Sequence, residues 1–349
     1  MKTSKKVTLI VSLIMATIVL WASVLVPLPY YIESPGGASD VRQVLKVDGK
    51  EDKEPGSYNF TYVRVLKGTA LQLLMAYFNK HADIYTEQEM TGGSSNADYF
   101  RISQFYMETS QNIAKYQALN LAGKEVNMDF FGVYVLNVAD DSTFKGILNI
   151  ADTVTSINGK TFKSSAELIK YISGLKLGSD VTVGYESNDK SHTADGKIIK
   201  LENGKNGIGI GLVDHTEVNS KVPIEFYTDN IGGPSAGLMF TLAIYTQLAD
   251  PDLRDGRMIA GTGTIEQDGS VGDIGGIDKK VLSAAQAGAT VFFAPNNPVD
   301  KEILKVKPDA LSNYDEAVQT VKEEGLDIEV VPVKNVKEAI AYLEKTKGE

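Results

Sequence analysis

Ile231-Gly232-Gly233-Pro234-Ser235-Ala236-Gly237-Leu238-Met239-Phe240-Thr241-Leu242-Ala243-Ile244-Tyr245 is the stretch on which the reading of this chain turns. A glycine pair and a proline preset a tight turn. A small serine follows, and then an almost wholly apolar run of helical length, which predicts a buried helix. Ser235 therefore stands at or near a helix N-terminus, where unpaired backbone N–H groups and the helix dipole favour negative charge. A serine nucleophile needs those surroundings. Gly233 supports the turn before it, and the backbone at Ala236 supplies a donor for a nascent oxyanion. The same residues also fit a plain helix entry with a serine cap.

A second stretch, Gly272-Asp273-Ile274-Gly275-Gly276-Ile277-Asp278-Lys279-Lys280-Val281, again feeds a helix from a glycine-rich loop. Lysines in a first helical turn sit at the wrong end for the dipole. A desolvated lysine can lose its proton near neutral pH and act as a general base, and a serine without a histidine partner needs one. Lys279 and Lys280 differ in helical direction by roughly 100°, so both cannot face Ser235.

The two stretches together resemble the proteolytic domain of the Lon family, a Ser–Lys dyad peptidase fold. The match rests on Pro234, Ser235, Ala236 and Gly237, and on Gly275, Gly276, Ile277 and Lys280. The resemblance implies Ser235 as nucleophile and Lys280 as general base. It also implies that Thr262, within Ala260-Gly261-Thr262-Gly263, supports the lysine. Asp229 is a further carboxylate near the nucleophile, read either as an orienting group or as a solvated loop residue.

Around this centre the chain has 349 residues, a formal net charge of −10 and 43% hydrophobic residues. That length suits about two to three domains. The acidic balance, with no basic cluster, argues against a nucleic-acid partner. There is no cysteine, and the only histidines are His81, His192 and His215, in no ligand spacing. No metal and no cofactor are therefore expected. No Gly-x-x-x-x-Gly-Lys-(Ser/Thr) occurs, so no nucleotide is expected either, and substrates should be short or already unfolded.

Lys2, Lys5 and Lys6 precede an uncharged run with its apolar heart at residues 7–26. About 20 apolar residues span a bilayer as a helix. The charge asymmetry puts residues 1–6 in the cytoplasm and the rest outside, with Trp21, Tyr30 and Tyr31 near the outer interface. A retained single-pass anchor is the preferred reading, and a cleaved signal peptide competes with it.

Residues 34–125 follow the breaker cluster Glu33-Ser34-Pro35-Gly36-Gly37. They predict a strand at 59–66, helices at 69–79 and 98–121, and a loop at 91–96; no chemistry is assigned to them. The strand at 59–66 is a candidate member of the protease sheet. From 126 to 204 short strands and turns take over, with Asn158-Gly159 as a hairpin turn and a helix at 164–173. This segment resembles a PDZ domain of the protease-associated bacterial type, departing from its signature at Ala151. The resemblance implies capture of an extended peptide by strand addition. It places the carboxylate-binding loop near residues 128–132, with Phe130, Phe131, Gly132 and Val133 lining it. Residues 205–349 form the protease-like part, with strands at 207–213 and 223–227 approaching the nucleophile. Further strands and helices alternate to the end, which is α/β (α+β) in character.

An anchor, a β-rich PDZ domain of the partly open barrel type and a Lon-like domain together resemble the SepM/YlbL group of membrane-anchored peptidases. That resemblance implies an extracellular, ATP-independent serine endopeptidase at the cell membrane. It would process secreted signalling peptides, as in quorum sensing, or small membrane proteins, and by analogy assemble as a homo-oligomer. A membrane-tethered PDZ adaptor with an inactive protease-like domain is the alternative. A Ser–His–Asp hydrolase is disfavoured, because no Gly-x-Ser-x-Gly elbow is present.

Overall fold

The uncharged run folds as one helix, α1 (Lys5–Leu25). Its segment Val7–Leu25 is long and apolar enough to cross a membrane, and none of it is buried against the rest of the protein. A computed structural model of the chain describes residues 5–229 and 231–348. Residues 1–4 of the expected cytoplasmic start thus lie outside the described residues.

Val26 alone separates α1 from strand β1 (Pro27–Asp40). There follow β2 (Leu45–Val47), β3 (Ser57–Thr69), α2 (Ala70–Tyr77), β4 (Asp83–Thr86), α3 (Glu87–Thr91) and the long α4 (Asn96–Leu121). The middle of the chain forms β5 (Val126–Val138), β6 (Thr153–Ile157), α5 (Ser165–Ser173), β7 (Asp180–Ser187) and β8 (Lys190–Lys197). It ends with β9 (Ile199–Lys200), β10 (Asn206–Gly207) and β11 (Ile210–Ser220). Next come β12 (Ile224–Phe226), α6 (Gly237–Ala249), β13 (Met258–Gly261), β14 (Thr264–Ile265), β15 (Val271–Gly272) and α7 (Ile277–Gln286). The chain continues through β16 (Val291–Pro295), α8 (Lys301–Val306), α9 (Asn313–Glu324), β17 (Glu329–Val333) and α10 (Val336–Lys345).

Two main sheets result. A six-stranded sheet has the order β17-β16-β13-β3-β1-β4, so it draws strands from both sides of the middle segment. Its β17, β16, β13 and β3 run parallel, while β1 and β4 are antiparallel additions. A five-stranded antiparallel sheet, β11-β5-β6-β7-β8, forms the second unit. The first core is organised by α6, in which Leu238, Met239, Phe240, Leu242 and Ile244 are all fully buried. A helix apolar all round belongs inside a protein. Tyr58 and Phe60, on the aromatic and β-branched β3, pack against it, with the Phe60 and Phe240 rings 5.7 Å apart. The second core gathers Val133, Val135, Val154, Leu168 and Val183 under α5.

Two expectations are corrected. Pro35-Gly36-Gly37 does not break the chain; it lies inside β1, where the pairing with β3 slips between Pro35 and Gly37. A Cβ at Gly36 would lie 2.5 Å from the Tyr62 carbonyl oxygen, so the glycine allows a close backbone approach rather than a turn. The strand expected at 207–213 does not join the protease sheet. It opens β11, which pairs with β5 from Ile210↔Val138 to Ser220↔Val126. Its apolar residues Ile208, Ile210 and Leu212 belong to the second core, which the sequence boundary at 204/205 cuts through.

Candidate active site

The nucleophile loop is held before α6 begins. Gly233 adopts φ +86°, a left-handed conformation that a glycine takes without strain. Ser235 is half-buried and Ala236 is the N-cap residue, with no side-chain cap. Among the described residues no hydrogen bond takes the N–H of Ser235 or Ala236. Both are unengaged donors at the positive end of a buried helix.

Lys280 enters from α7, whose N-cap Gly276 is also left-handed at φ +64°. The Lys280 Nζ lies 3.0 Å from Ser235 Oγ and 3.4 Å from Thr262 Oγ1. A protonated amine donates the first bond and a neutral one accepts it. Thr262, fully buried just after β13, donates from its Oγ1 to the Ser235 carbonyl at 3.1 Å. Serine, threonine and lysine therefore form one closed cluster across three elements. Burial pushes the Lys280 pKa down to about 8, against a smaller upward pull from the Glu33 charge. A lysine so placed is largely able to take a proton at mildly alkaline pH.

Lys279 points elsewhere. Its ammonium pairs with Asp83 and Asp278, with Glu33 at 3.8 Å. Burial opposes its charge, but the hydrogen bond to Asp83 and the carboxylates around it hold its pKa above the ordinary value. Glu33 itself is raised by burial. The carboxylate whose charge reaches Lys280 is thus Glu33, while Asp229 is exposed. No group of His, Asp and Glu side chains among the described residues is placed to hold a metal ion.

Helix α4, given no chemistry from the sequence, clamps the nucleophile loop. Gly233 N–H donates to the Ser103 carbonyl at 2.8 Å, and Ser110 Oγ donates to the Pro234 carbonyl at 2.9 Å. Gln104 donates to the Ile231 carbonyl and Gln111 to Thr228 Oγ1. The sequence signal is faint: Ser103, Ser110 and Gln117 recur every seventh residue, on one helix face.

The structure places Phe130, Phe131, Gly132 and Val133 inside a strand rather than in a loop. They lie within β5, which has β11 on one side and, at Val133, β6 on the other. At Val133 and Tyr134, where both neighbours are in place, the strand cannot accept a third. The edges of this sheet are β8 and β11; β11 lies beside α5 at residues 208–212, and from Asp214 on its carbonyls accept from Thr109 and Asn112 of α4. Between β11 and α5 lies a cavity of about 290 Å³ lined by Leu168, Ile169, Ile172, Ile208, Ile210 and Leu212. Gly207 and Gly209 lead into it. A second cavity, of about 490 Å³, shares Leu212 with the first and reaches Asp214, Ser110, Pro234 and Glu266.

An α/β domain carrying a buried lysine against a helix-entry serine, with a five-stranded module inserted into it, defines a peptidase-type architecture. Residues 154–339 match the family model of the Lon protease (S16) C-terminal proteolytic domain, and the chain belongs to that family. Residues 104–198 match the PDZ domain model. The Lon protease of Ureaplasma parvum serovar 3 is 26% identical over 264 residues, covering 72% of this chain and 32% of that protein. The Lon protease of Metamycoplasma arthritidis is 32% identical over 116 residues, 33% of this chain and 12% of that one. The chain thus matches about a third or less of the length of these relatives. Among solved structures, the PDZ domain of an SdrC-like protein from Listeria monocytogenes is 42% identical over 24% of this chain and 90% of that one, with a TM-score of 0.23.

Proposed function

We propose that this protein is a serine endopeptidase working through a Ser235–Lys280 dyad at a membrane surface. The observation that carries the reading is the 3.0 Å contact between Ser235 Oγ and a buried Lys280 amine whose pKa is pushed down to about 8. Neutral Lys280 takes the hydroxyl proton as Ser235 Oγ bonds to the peptide carbonyl carbon. The N–H groups of Ser235 and Ala236 receive the oxyanion. Lys280 then returns the proton to the leaving amine as the C–N bond breaks, leaving a serine ester. Water attacks that ester and Lys280 takes its proton; the Ser235 oxygen departs and regains a hydrogen. Thr262 holds the lysine and the serine backbone in register throughout.

The groove between β11 and α5 is the proposed site of peptide capture, by addition of a strand to the free edge of β11. With α1 as a single-pass anchor, the catalytic part lies outside the cell and its substrates are short or unfolded peptides. Assembly into a homo-oligomer is part of the same reading, by analogy with Lon-type domains.

The full chain in detergent, given a library of secreted peptides and read by mass spectrometry, tests this. Cleavage should vanish in Ser235→Ala and in Lys280→Ala and persist in Lys279→Arg. Cleavage that survives in Ser235→Ala removes the mechanism. Peptide binding without cleavage by any variant would favour the tethered adaptor.

A further inference from the structure

We infer that α2 is a second membrane contact: its uncharged outer face lies in the headgroup region of the bilayer that holds α1. The inference rests on the reading of α1 as a retained anchor and adds an interface to it. The residues Leu74, Met75, Tyr77 and Phe78 are 57%, 65%, 78% and 78% exposed, and Leu71 joins them. In a soluble protein, clustered apolar exposure of this kind marks an interaction surface. The segment Ala70–Tyr77 reads ALQLLMAY, with no charged residue to suit a polar protein partner.

The register of the sheet fixes where this face sits. Pro27, the first strand residue after α1, pairs with Thr69, and Thr69 is the N-cap of α2 with a complete capping box. The start of α2 is therefore level with the end of the anchor, and the two helices touch. A helix tied at that height, apolar outside and ending in two aromatics, has the chemistry of the interfacial zone, where tyrosine and phenylalanine sit among headgroups. Tyr30, 40% exposed on the neighbouring strand, extends the same surface. The catalytic centre is thereby held close to the lipid. Only the β1 stretch from Pro27 to Glu33 lies between the anchor and the carboxylate beside Lys279, about 20 Å at 3.3 Å per residue. Peptide segments lying on or just above the bilayer are then the ones within reach.

The chain contains no cysteine and one tryptophan, Trp21 in α1, which gives two independent reporters. Full-length protein with Met75→Cys is labelled with a fluorophore and reconstituted at low protein-to-lipid ratio into phosphatidylcholine vesicles carrying a headgroup-depth nitroxide lipid. Ser191→Cys, on β8, is the control. The expected result is quenching of both Trp21 and the Met75 probe by the nitroxide lipid, severalfold stronger than for the Ser191 probe, which only aqueous iodide reaches. Iodide quenching of the Met75 probe equal to that of the Ser191 probe, with Trp21 still quenched by lipid, overturns the inference and leaves the anchor intact. A Met75 probe shielded from both quenchers overturns it in favour of a second copy of the chain. A Trp21 untouched by the lipid nitroxide overturns inference and anchor together.

Discussion

Burial pushes Lys280 down to about 8, while carboxylates around Lys279 hold its neighbour above the ordinary value. One helical step separates the proposed base from a cation held by carboxylates. In the proposed mechanism the neutral amine is the active form, so kcat/KM should fall by about tenfold per pH unit below a midpoint near 8. The Glu33 charge holds that midpoint up. Glu33→Gln should therefore move the pH–rate profile toward acid; a midpoint that stays or rises would show that Glu33 does not act through its charge. The same desolvation has a stability cost. A drop from 10.5 to about 8 disfavours the folded, protonated lysine by roughly 3 kcal/mol. Between those values the folded state binds fewer protons than the unfolded chain, so wild-type stability climbs as pH rises through that window. Lys280→Met should abolish cleavage yet raise the urea midpoint at neutral pH, with the gain shrinking toward about pH 10. A gain independent of pH would show that desolvation of the charge is not its source.

Helices α4 and α6 meet at Gly237, where the difference between propensity and packing can be measured. A Cβ there would lie 2.6 Å from Ile265 Cγ2 and 2.7 Å from Ser110 Oγ, with the Ile265 backbone nitrogen at 3.1 Å. Helix propensity alone favours alanine over glycine by about 1 kcal/mol. Overpacking of a filled site costs about 1–3 kcal/mol and here pushes the helix entry off Ser110. Gly237→Ala should therefore keep its far-ultraviolet circular dichroism while cleavage falls by at least about tenfold, since small misplacements of a nucleophile are costly. Unchanged turnover would mean that the α4 clamp does not position Ser235. This element also marks the limit of what local sequence reveals. The buried α6 and the entries to α6 and α7 follow from local features: an unbroken apolar run, a left-handed glycine and a proline. The partners of α4 on the nucleophile loop are more than a hundred residues away, as in Ser110 to Pro234, and leave only a seven-residue polar spacing in the chain. The same limit explains Phe130–Val133. The resemblance places a loop at 128–132, but the segment is drawn into β5 by its pairing with β11, which arrives about eighty residues later.

Across the whole molecule, one strand and one helix join the two units. β11 runs from the groove beside α5 toward β12 and the nucleophile loop. Adjacent residues on α4 hold both ends of the gap: Thr109 Oγ1 donates to the Asp214 carbonyl at 2.9 Å, and Ser110 Oγ to the Pro234 carbonyl at 2.9 Å. Consecutive Cα atoms are about 3.8 Å apart, so Asp214 on β11 and Pro234 beside Ser235 are held only a few residue lengths from each other. A peptide added antiparallel to β11 beside α5, with its C-terminus at the Gly207–Gly209 end, therefore leaves the strand edge near Leu212, where α4 takes over at Asp214, and directs its upstream residues into the cavity that reaches Pro234. Capture and cleavage then address different parts of one substrate. Hydrogen bonds to a charged group contribute about 1.5–3 kcal/mol, or roughly tenfold to a hundredfold in affinity. Replacing the C-terminal carboxylate of a cleaved peptide by an amide should raise KM by about that factor and leave kcat unchanged, because the lost contact is equal in ground and transition states. Ile169→Arg, at an exposed position on the groove wall, should raise KM in the same way for peptides long enough to reach from groove to serine and leave shorter ones unaffected. Should the amide be cut with unaltered KM, the groove does not read peptide ends, and β11 serves only to brace Ser235 against the inserted sheet.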